Sequence, residues 1–390
     1  MKNWLKPTLL ALALLCLLLV AVFYIFNYKL IKASTNKIEF SPGGEHEALV
    51  MDSIPEKPKN IIFFIADGMG FSHLSLAMMS QQSEANSSVW DEFETKGWHD
   101  PRCTYGPLTD SGASATAMAT GTSTFFEVIG MDKDGNTLEN IFEKASKNSY
   151  ATGIVTDSYV WDATPAAFVA HTKSRDNSRD ILEQIAASDL DILFGELEDL
   201  GEDDNPDYDE TMEILTRRFQ LLDESLTLPG QVSDSKPLAA IYSEDEIQDL
   251  DSSPNLPKLT EVALDYLASG DQPFILLVEC EELDSASHRN ATNRMLKGLK
   301  SIESTLALIQ DFAKKNGETL VVFTSDHETG GLAVGTGSKG YPDMEVIWAT
   351  KDHTASVVPL FAYGPGAEHF ADVHRNWEIG KLLISLVPSE

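Results

Sequence analysis

The sequence predicts an α/β protein, with a large central, mostly parallel β-sheet flanked by helices on both faces. Two observations favour this class. From residue 60 onward, short apolar runs of strand length alternate with longer patterns of helix length, and such alternation is typical of βαβ units. The chain also has 390 residues, of which 43% are hydrophobic, and this content is enough to bury a sheet on both of its faces.

Charge and cysteine content exclude several kinds of function. There are 61 acidic and 29 basic side chains, which give a formal net charge of -32. Such a charge argues against a protein that binds nucleic acid phosphates.

The three cysteines are Cys16, Cys103 and Cys280, so at most one disulfide joins the last two. A zinc site made of thiolates is excluded by this count, and any zinc must be held by histidine and carboxylate side chains.

The N-terminal segment, residues 1–33, is predicted to be a membrane anchor or a signal segment. The run from Thr8 to Phe26 has no charged residue and is about long enough to cross a bilayer as a helix. A cleaved signal usually has a shorter apolar run and a small-residue cleavage site, and the site that ends at Ala33 fits this pattern poorly. We therefore expect an exported protein, tethered on the periplasmic or extracellular side of a membrane.

Residues 34–57 are polar, contain proline and glycine, and are predicted to form a linker. Residues 58–390 are predicted to form one globular domain. The acidic stretch 197–210 interrupts its pattern and is predicted to be a solvated surface excursion. Five apolar runs predict strands of the sheet: Ile61–Ile65, Gly153–Thr156, Phe274–Val278, Leu320–Thr324 and Val357–Ala362.

Side chains able to bind a cation follow several of these predicted strands. In an open α/β sheet, ligands collect outside the carboxyl ends of the strands. Asp67 follows the first strand, and the glycine after it permits a tight turn. Glu279 ends a later strand and precedes Asp284 and His288. A helical segment would place Asp284 and His288 on one face, which is a common metal-binding geometry.

The fourth of these runs leads directly into Asp326 and His327, followed by Glu328, Thr329 and two glycines. Adjacent side chains can reach one ion only if the backbone turns sharply, and the glycines allow such a turn. His353 stands just before the last run and is a further candidate ligand. His171 is predicted to be a hydrogen-bonded structural histidine rather than a residue that supports the metal ligands.

Asp162, Thr164 and Arg175 form another candidate group. Asp162 and Thr164 are two residues apart, so on an extended segment their oxygens would face the same side. Together with Glu279 and Asp67 they would make an all-oxygen site that suits magnesium. Arg175 supplies a planar guanidinium that can hold two phosphate oxygens.

Ser111 is the candidate nucleophile. It follows Asp110 and precedes small residues that leave room for a bulky anion. A serine hydroxyl needs a histidine base or a metal to lower its pKa, and no histidine lies within ten residues of Ser111 on either side. The residues therefore indicate metal-assisted phosphoryl transfer through a covalent phosphoserine.

Together these segments resemble the alkaline phosphatase family. They occur in the order that the family has, from about Asn60 to Gly364, and as a set they are highly specific. The matching segments are Ile65–Gly70, Thr109–Ala117, Asp162–Ala167 with Arg175, Glu279 with Asp284 and His288, Thr324–Gly331, and His353–Thr354.

The resemblance implies a catalytic domain in residues 58–390 that hydrolyses small-molecule phosphate monoesters with broad specificity, and commonly a homodimer. It implies two zinc ions and one magnesium ion, with no nucleic acid partner. The implied roles are Asp284, His288 and His353 for the first zinc; Asp326, His327 and Asp67 for the second, which also binds the Ser111 oxygen; Thr164, Glu279 and Asp162 for magnesium, bridged by Asp67; and Arg175 for the phosphate.

Some positions depart from the family pattern. Ser285 stands where members often have Lys or His, so Asp162 would lack its usual charged partner and phosphate would be released faster. Cys280, Glu281 and Glu282 replace a glycine-rich stretch. The chain is short for the family, which leaves the oligomeric state open.

Two other functions are compatible with parts of the sequence. A related two-metal phosphodiesterase or sulfatase would favour threonine or a modified cysteine or serine as nucleophile and would lack the third, oxygen-rich site. Ser111, Thr164 and Glu279 argue against it. A non-catalytic exported cation-binding protein would leave Ser111 and Arg175 without a role.

Overall fold

The structure is a computed structural model that describes residues 13–24, 57–82, 88–197, 208–228, 236–247, 250, 253–340 and 343–388. The chain divides into two compact units, Met1–Glu47 and Ala48–Glu390. In the first unit, residues 13–24 form helix α1, whose side chains are exposed.

The second unit contains the other helices and all the described strands. The strands are β1 Asn60–Ala66, β2 Thr95–His99, β3 Ala151–Tyr159, β4 Ile192–Leu197, β5 Gln220–Leu221, β6 Leu238–Ser243, β7 Phe274–Cys280, β8 Thr319–Thr324, β9 Glu328–Thr329, β10 Leu332–Thr336, β11 Met344–Trp348, β12 His353–Thr354 and β13 Val358–Tyr363. The helices are α2 Phe71–Gln82, α3 Ser111–Thr120, α4 Ile141–Lys147, α5 Ala163–Ala167, α6 Ser178–Ala187, α7 Tyr208–Thr216, α8 Leu256–Ala268, α9 Glu282–His288, α10 Thr292–Asn316 and α11 Asn376–Leu386.

Nine of the described strands form one sheet in the order β2-β13-β8-β1-β7-β3-β4-β6-β5. Each pair from β8 to β5 is parallel, whereas β13 runs antiparallel to both β8 and β2. The predicted fold class is therefore confirmed, and each of the five predicted strands lies in this sheet.

The central strand β1 shows why the inner strands of this sheet are mostly apolar. All seven of its residues are buried. Ile61, Phe63 and Ile65 belong to the apolar cluster on one face, and Ile62 and Phe64 belong to the cluster on the other. Because successive side chains point to opposite faces, a strand covered by helices on both sides has apolar side chains along most of its length.

The register of three neighbouring strands explains where the polar residues meet. Strand β1 lies between β7 and β8, and Ile65 pairs with Glu279 on one side and Thr324 on the other. Asp67 and Asp326 follow their strands by one and two residues. All three carboxylates therefore lie at the carboxyl edge of the sheet, as predicted.

The predicted membrane anchor has no support in the described part of the chain. Among the helices of the described residues, none is both long and apolar enough to cross a bilayer. The remainder of segment 1–33 and nearly all of the predicted linker lie outside the described residues, as do residues 198–207 of the acidic stretch.

Glu196 is a buried carboxylate at the end of β4. It accepts hydrogen bonds from the backbone N–H groups of Asp245, at 2.9 Å, and Ile247, at 2.6 Å. Burial raises the pKa of Glu196 to about 8, and the nearby charge of Asp157 adds to this rise. Since the pKa in the folded state lies above its ordinary value, the stability that Glu196 contributes at low pH is lost as the pH rises toward about 8.

We expect Glu196→Gln to flatten the dependence of stability on pH. Between pH 5 and 8, the free energy of unfolding of the wild type should fall relative to that of the variant by up to about 1.4 kcal/mol per pH unit. Urea unfolding at several pH values measures this difference. Parallel curves for the two proteins would show that Glu196 does not retain its proton in the folded state.

Candidate active site

Ser111 lies at the first position of helix α3. The side chain of Asp110 caps this helix by accepting a hydrogen bond from the backbone N–H of Ala113, at 3.1 Å. Every residue of α3 is buried, and the small residues after Ser111 allow this close packing. The Ser111 Oγ atom lies 3.2 Å from Nε2 of His327, so the fold brings a histidine from a distant segment beside the candidate nucleophile.

His327 is surrounded by oxygen atoms. Its Nε2 atom also lies 3.4 Å from Oδ1 of Asp67 and 3.2 Å from Oδ2 of Asp326. Burial, together with the neighbouring His353, lowers the pKa of His327 well below its ordinary value, so the ring is neutral at physiological pH. A neutral imidazole can bind a cation through a ring nitrogen, and a cation among these atoms would satisfy the nitrogen and both carboxylates.

The carboxylates of Asp67 and Asp326 are buried close together, and the surrounding side chains do not balance their negative charge. Burial raises the pKa of Asp67 well above its ordinary value, and the charge of Asp326 adds to it. Burial and the charge of Asp284 raise the pKa of Asp326 to about 6. Oδ1 of Asp67 and Oδ2 of Asp326 have no hydrogen-bond partner among the described residues. Buried, unpaired carboxylate oxygens are costly unless a cation binds them.

Asp284, His288 and His353 form a second group that could hold a metal. Asp284 Oδ2 lies 3.1 Å from His288 Nε2, because the two residues are four apart on helix α9, as predicted. The Nε2 atoms of His288 and His353 lie 3.1 Å apart. His353 also stacks on His327, with ring centroids 3.5 Å apart, so the two groups are adjacent.

The hydrogen bonds of these two histidines indicate which nitrogen is available to a metal. Nδ1 of His288 lies 2.5 Å from the carbonyl oxygen of Lys351, and Nδ1 of His353 lies 2.8 Å from that of Thr109. A carbonyl only accepts, so each Nδ1 must carry a proton, and a metal would bind the lone pair of each Nε2. Two lone pairs that face each other beside a carboxylate are the arrangement that a cation stabilises.

Thr329 orients both groups. Its Oγ1 atom donates a hydrogen bond to Oδ1 of Asp284 and lies 3.2 Å from Nδ1 of His327. Thr329 is fully buried in β9, which pairs with β12 and so also positions His353.

We expect Thr329→Val to weaken metal binding by about tenfold or more, since partners that orient a ligand typically have such an effect on metal affinity. Competition with a chelator of known affinity measures the change. Thr260→Val is the matched control, because Thr260 is equally buried but bonds only to a carbonyl within α8. Equal affinities for the wild type and Thr329→Val would contradict the orienting role.

Asp162, Thr164 and Glu279 form a third group, but not in the way the sequence predicted. The expectation that Asp162 and Thr164 lie on an extended segment is wrong. Asp162 caps helix α5 by accepting from the N–H of Ala163, and Thr164 lies in its first turn. The cap residue Asp162 and the first-turn residue Thr164 can nevertheless both reach the carboxyl edge of the sheet.

The third group consists of oxygen atoms only. Oε2 of Glu279 accepts a hydrogen bond from Thr156, at 2.6 Å, whereas Oε1 of Glu279 and Oγ1 of Thr164 are buried without a hydrogen-bond partner in the described parts of the chain. Burial and the charge of Asp162 raise the pKa of Glu279 well above its ordinary value. Such a donor set fits a hard cation such as magnesium.

Arg175 lies between two carboxylates of the site. Its Nη2 atom is 2.7 Å from Oδ1 of Asp162, and its Nη1 atom is 3.7 Å from Oδ2 of Asp110. Asp162 therefore has a charged partner in spite of Ser285, which bonds to Arg289 instead. The Arg175 side chain is 27% exposed, so it remains accessible to an anion beside Ser111.

Several residues near the site act as supports that sequence reasoning missed. Ser325 accepts a hydrogen bond from the N–H of Met69, and Ser114 donates one to the carbonyl of Asp326. Both serines stand within the matching motifs, which is a signal that could have indicated them.

His171 is a structural histidine, as predicted, with Nδ1 at 2.7 Å from the carbonyl of Gly130. Cys103 and Cys280 are free thiols.

The fold and the site together define an α/β protein with a polar centre at the carboxyl edge of its sheet, where grouped carboxylate and histidine side chains could hold metal ions. Comparison with known proteins agrees with this class. A family model described as alkaline phosphatase matches residues 58–195 and 238–344, which is more than half of the chain. The chain belongs to the alkaline phosphatase family.

Individual relatives are similar over most of their length. Alkaline phosphatase 4 of Bacillus subtilis is 26% identical over 84% of this chain and 88% of the relative. The alkaline phosphatase of Escherichia coli is 27% identical over 83% and 85%. The solved structure of the alkaline phosphatase from the Antarctic bacterium TAB5 has 27% identity and a TM-score of 0.75, and the match covers 85% of this chain and 98% of that one. Mutants of the TAB5 enzyme have been solved with Mg bound in the M3 site.

Proposed function

We propose that the protein hydrolyses phosphate monoesters through a covalent phosphoserine at Ser111, with two zinc ions and one magnesium ion, and releases inorganic phosphate. The observation that carries this proposal is the position of the Ser111 hydroxyl, 3.2 Å from a nitrogen of the Asp67, Asp326 and His327 group. A serine hydroxyl that has no free base beside it can be activated by a bound metal. Ser111 lies at the edge of such a candidate metal group.

The donor atoms favour particular metals. Imidazole nitrogens with carboxylates suit zinc, for which we assign Asp284, His288 and His353 to one ion and Asp67, Asp326 and His327 to the other. Asp162, Thr164 and Glu279 would hold magnesium, with Asp67 shared between two ions. Bound there, the cations would lower the pKa of the Ser111 hydroxyl and of the attacking water, and would neutralise charge on the reacting oxygens.

The chain's own residues perform two displacements. The Ser111 oxygen attacks phosphorus, the bond to the leaving oxygen breaks, and the alcohol departs with a proton. Water then attacks the phosphoserine, the Oγ–phosphorus bond breaks, and Ser111 recovers its proton. Arg175 holds two phosphate oxygens throughout, and Asp162 and Asp110 hold its guanidinium in place.

We expect Arg175→Ala to weaken inhibition by inorganic phosphate by about 10- to 100-fold, since charge-assisted hydrogen bonds from Arg175 would be lost. The inhibition constant for phosphate measures this change. Arg179→Ala is the control, because Arg179 pairs with Glu210 on the surface. An unchanged inhibition constant in Arg175→Ala would contradict its role.

The proposed function is tested by comparing an aryl phosphate monoester, its diester and an aryl sulfate, each with and without a chelator. Hydrolysis of the monoester that is lost with chelator supports the proposal. Preference for the diester or the sulfate would favour the related superfamily activities, and no hydrolysis would favour a cation-binding protein. The exported location and the homodimer stay predictions.

A further inference from the structure

Asn376 is a buried polar residue beside an apolar contact between two helices. It is the first residue of α11, and its side chain is fully buried. A Cβ atom added at Gly380 of α11 would lie 2.5 Å from the carbonyl oxygen of Ala117 in α3, so the backbones of the two helices are in direct contact. The apolar side chains of both helices belong to one cluster, with Ala115, Met118, Ala119, Ile379, Leu382 and Leu383. A polar group buried here is costly unless it is hydrogen-bonded.

The amide of Asn376 makes three hydrogen bonds. Its Nδ2 atom donates to the carbonyl oxygen of Pro101, at 2.8 Å, and to Oγ of Ser114, at 3.2 Å. Its Oδ1 atom accepts from the backbone N–H of Trp377, at 2.9 Å. Because a carbonyl only accepts, the atom that faces Pro101 must be the nitrogen. Both N–H groups of the amide therefore point from α11 toward other segments of the chain.

The bond from Asn376 determines where the proton of Ser114 points. Ser114 is fully buried in α3, the helix that begins with Ser111. A hydroxyl has a single proton to donate. Since Asn376 donates to the Ser114 oxygen, the Ser114 proton must go to another acceptor, and this is the carbonyl oxygen of Asp326, at 2.8 Å.

Ser114 differs in this respect from several other hydroxyl residues in helices. Such side chains often donate to the carbonyl four residues earlier in their own helix, as do Ser75, Thr120, Thr260, Ser287 and Thr305. For Ser114 that carbonyl belongs to Asp110, but the hydroxyl bonds across to Asp326 instead. Without the N–H of Asn376, the hydroxyl would be free to turn toward Asp110, and its bond to Asp326 would weaken.

The start of α11 also reaches the backbone before Asp326 by a second route. Arg375 forms an ion pair with Asp100, which directly follows β2. The preceding His99 is fully buried, and its Nε2 atom lies 3.1 Å from the carbonyl oxygen of Ser325. Two successive carbonyls at the end of β8 are therefore held by side chains that are themselves bonded to the start of α11.

We propose that Asn376 is a positioning residue of the active site, which acts through Ser114 to hold the backbone of Asp326 where its carboxylate can bind a metal ion. The inference rests on the metal centre of the proposed function. The same bonds fix the helix that begins with Ser111 against the segment that carries Asp326. Asn376 lies beyond His353–Thr354, the last segment that indicated the site in the sequence.

The test is a double-mutant cycle on zinc affinity, measured by competition with a chelator of known affinity. We expect Ser114→Ala to weaken zinc binding about tenfold, because it removes a hydrogen bond that orients a ligand. Asn376→Ala should weaken it about three- to tenfold, because Ser114 then keeps its bond to Asp326 for only part of the time. The double variant should lose no more than about tenfold, since Asn376 acts through Ser114 and the two effects do not add.

Two further variants separate this role from a purely structural one. Asn376→Leu retains the volume of the side chain in the apolar contact and should weaken zinc binding as Asn376→Ala does. Asn140→Ala is the matched control, because Asn140 is equally buried and caps α4 by accepting from the N–H of Glu143, at 2.9 Å. It should lower the stability of the metal-free protein in urea and leave the zinc affinity of the folded protein unchanged.

Wild-type zinc affinity in either Asn376 variant, or in Ser114→Ala, would overturn the positioning role. A loss of stability without a loss of zinc affinity would mean that Asn376 serves only the contact between α3 and α11. Additive losses in the double variant would overturn the route through Ser114. In each of these cases the proposed function stands, because the wild type still binds zinc and hydrolyses the monoester. If the wild type binds no zinc, the proposed function fails and the positioning role fails with it.

Discussion

Replacing Ser111 with alanine is expected to abolish the phosphorylated protein and to lower kcat/KM for an aryl phosphate monoester by at least about 10³-fold. Alanine removes the one oxygen that attacks phosphorus in the proposed reaction. It also suits the first turn of a helix and the small space that Ser111 occupies in α3. The variant should therefore keep its fold.

Three measurements separate the loss of the nucleophile from damage to the site. Metal content should be unchanged in Ser111→Ala, because the described ligand groups retain all their side chains. Trapping with a labelled ester at low pH should give phosphoserine in the wild type and none in the variant. Ser75→Ala, which removes an exposed helical serine hydroxyl on α2, is the matched control and should behave as the wild type. Normal turnover in Ser111→Ala would refute the nucleophile.

The sequence predicted those parts of the fold that depend on local patterns. Strands β1, β7 and β8 are buried on both faces, so their apolar runs are continuous and easily recognised. Strand β4 also lies inside the sheet, but it includes Gly195 and Glu196 and was not predicted. The continuous apolar run of β4 before Gly195 is only Ile192–Phe194, whereas β7 has a run of five residues before Glu279, so the local pattern of β4 was too short to be recognised.

For the candidate site, too, local patterns predicted some features and missed those that depend on the surrounding fold. Residues that follow strands were found because the carboxyl edge of a parallel sheet is a general location for ligands. The spacing argument failed for Asp162 and Thr164, since a period of two holds only in an extended strand and these residues begin a helix. Contacts between particular side chains of distant segments do not follow from local patterns, and the closeness of Ser111 and His327 was implied only by the resemblance to the family. Ser111 and His327, whose side chains lie 3.2 Å apart, are separated by 216 positions in the chain.

Three buried carboxylates lie in the candidate site, and they determine how the protein should respond when metal is removed. Asp67, Asp326 and Glu279 are each buried, and burial together with repulsion from neighbouring carboxylates raises the pKa of all three. Arg175, the cationic side chain at the site, pairs with Asp110 and Asp162 and not with these three carboxylates. Bound cations would therefore be part of the folded structure as well as of the chemistry.

Removing the metals with a chelator is expected to abolish hydrolysis and to destabilise the domain. A cation present at about 1,000 times its Kd stabilises the folded state by about 4 kcal/mol per site, and for a domain of this size such a loss lowers Tm by roughly 10 °C. Calorimetry before and after chelation measures the shift, with zinc and magnesium added back as the control. The metal-loaded Ser111→Ala variant should show the same shift, because the stabilisation depends on the ligands and not on turnover. An unchanged Tm in protein shown to be free of metal would mean that the buried carboxylates are not ligands.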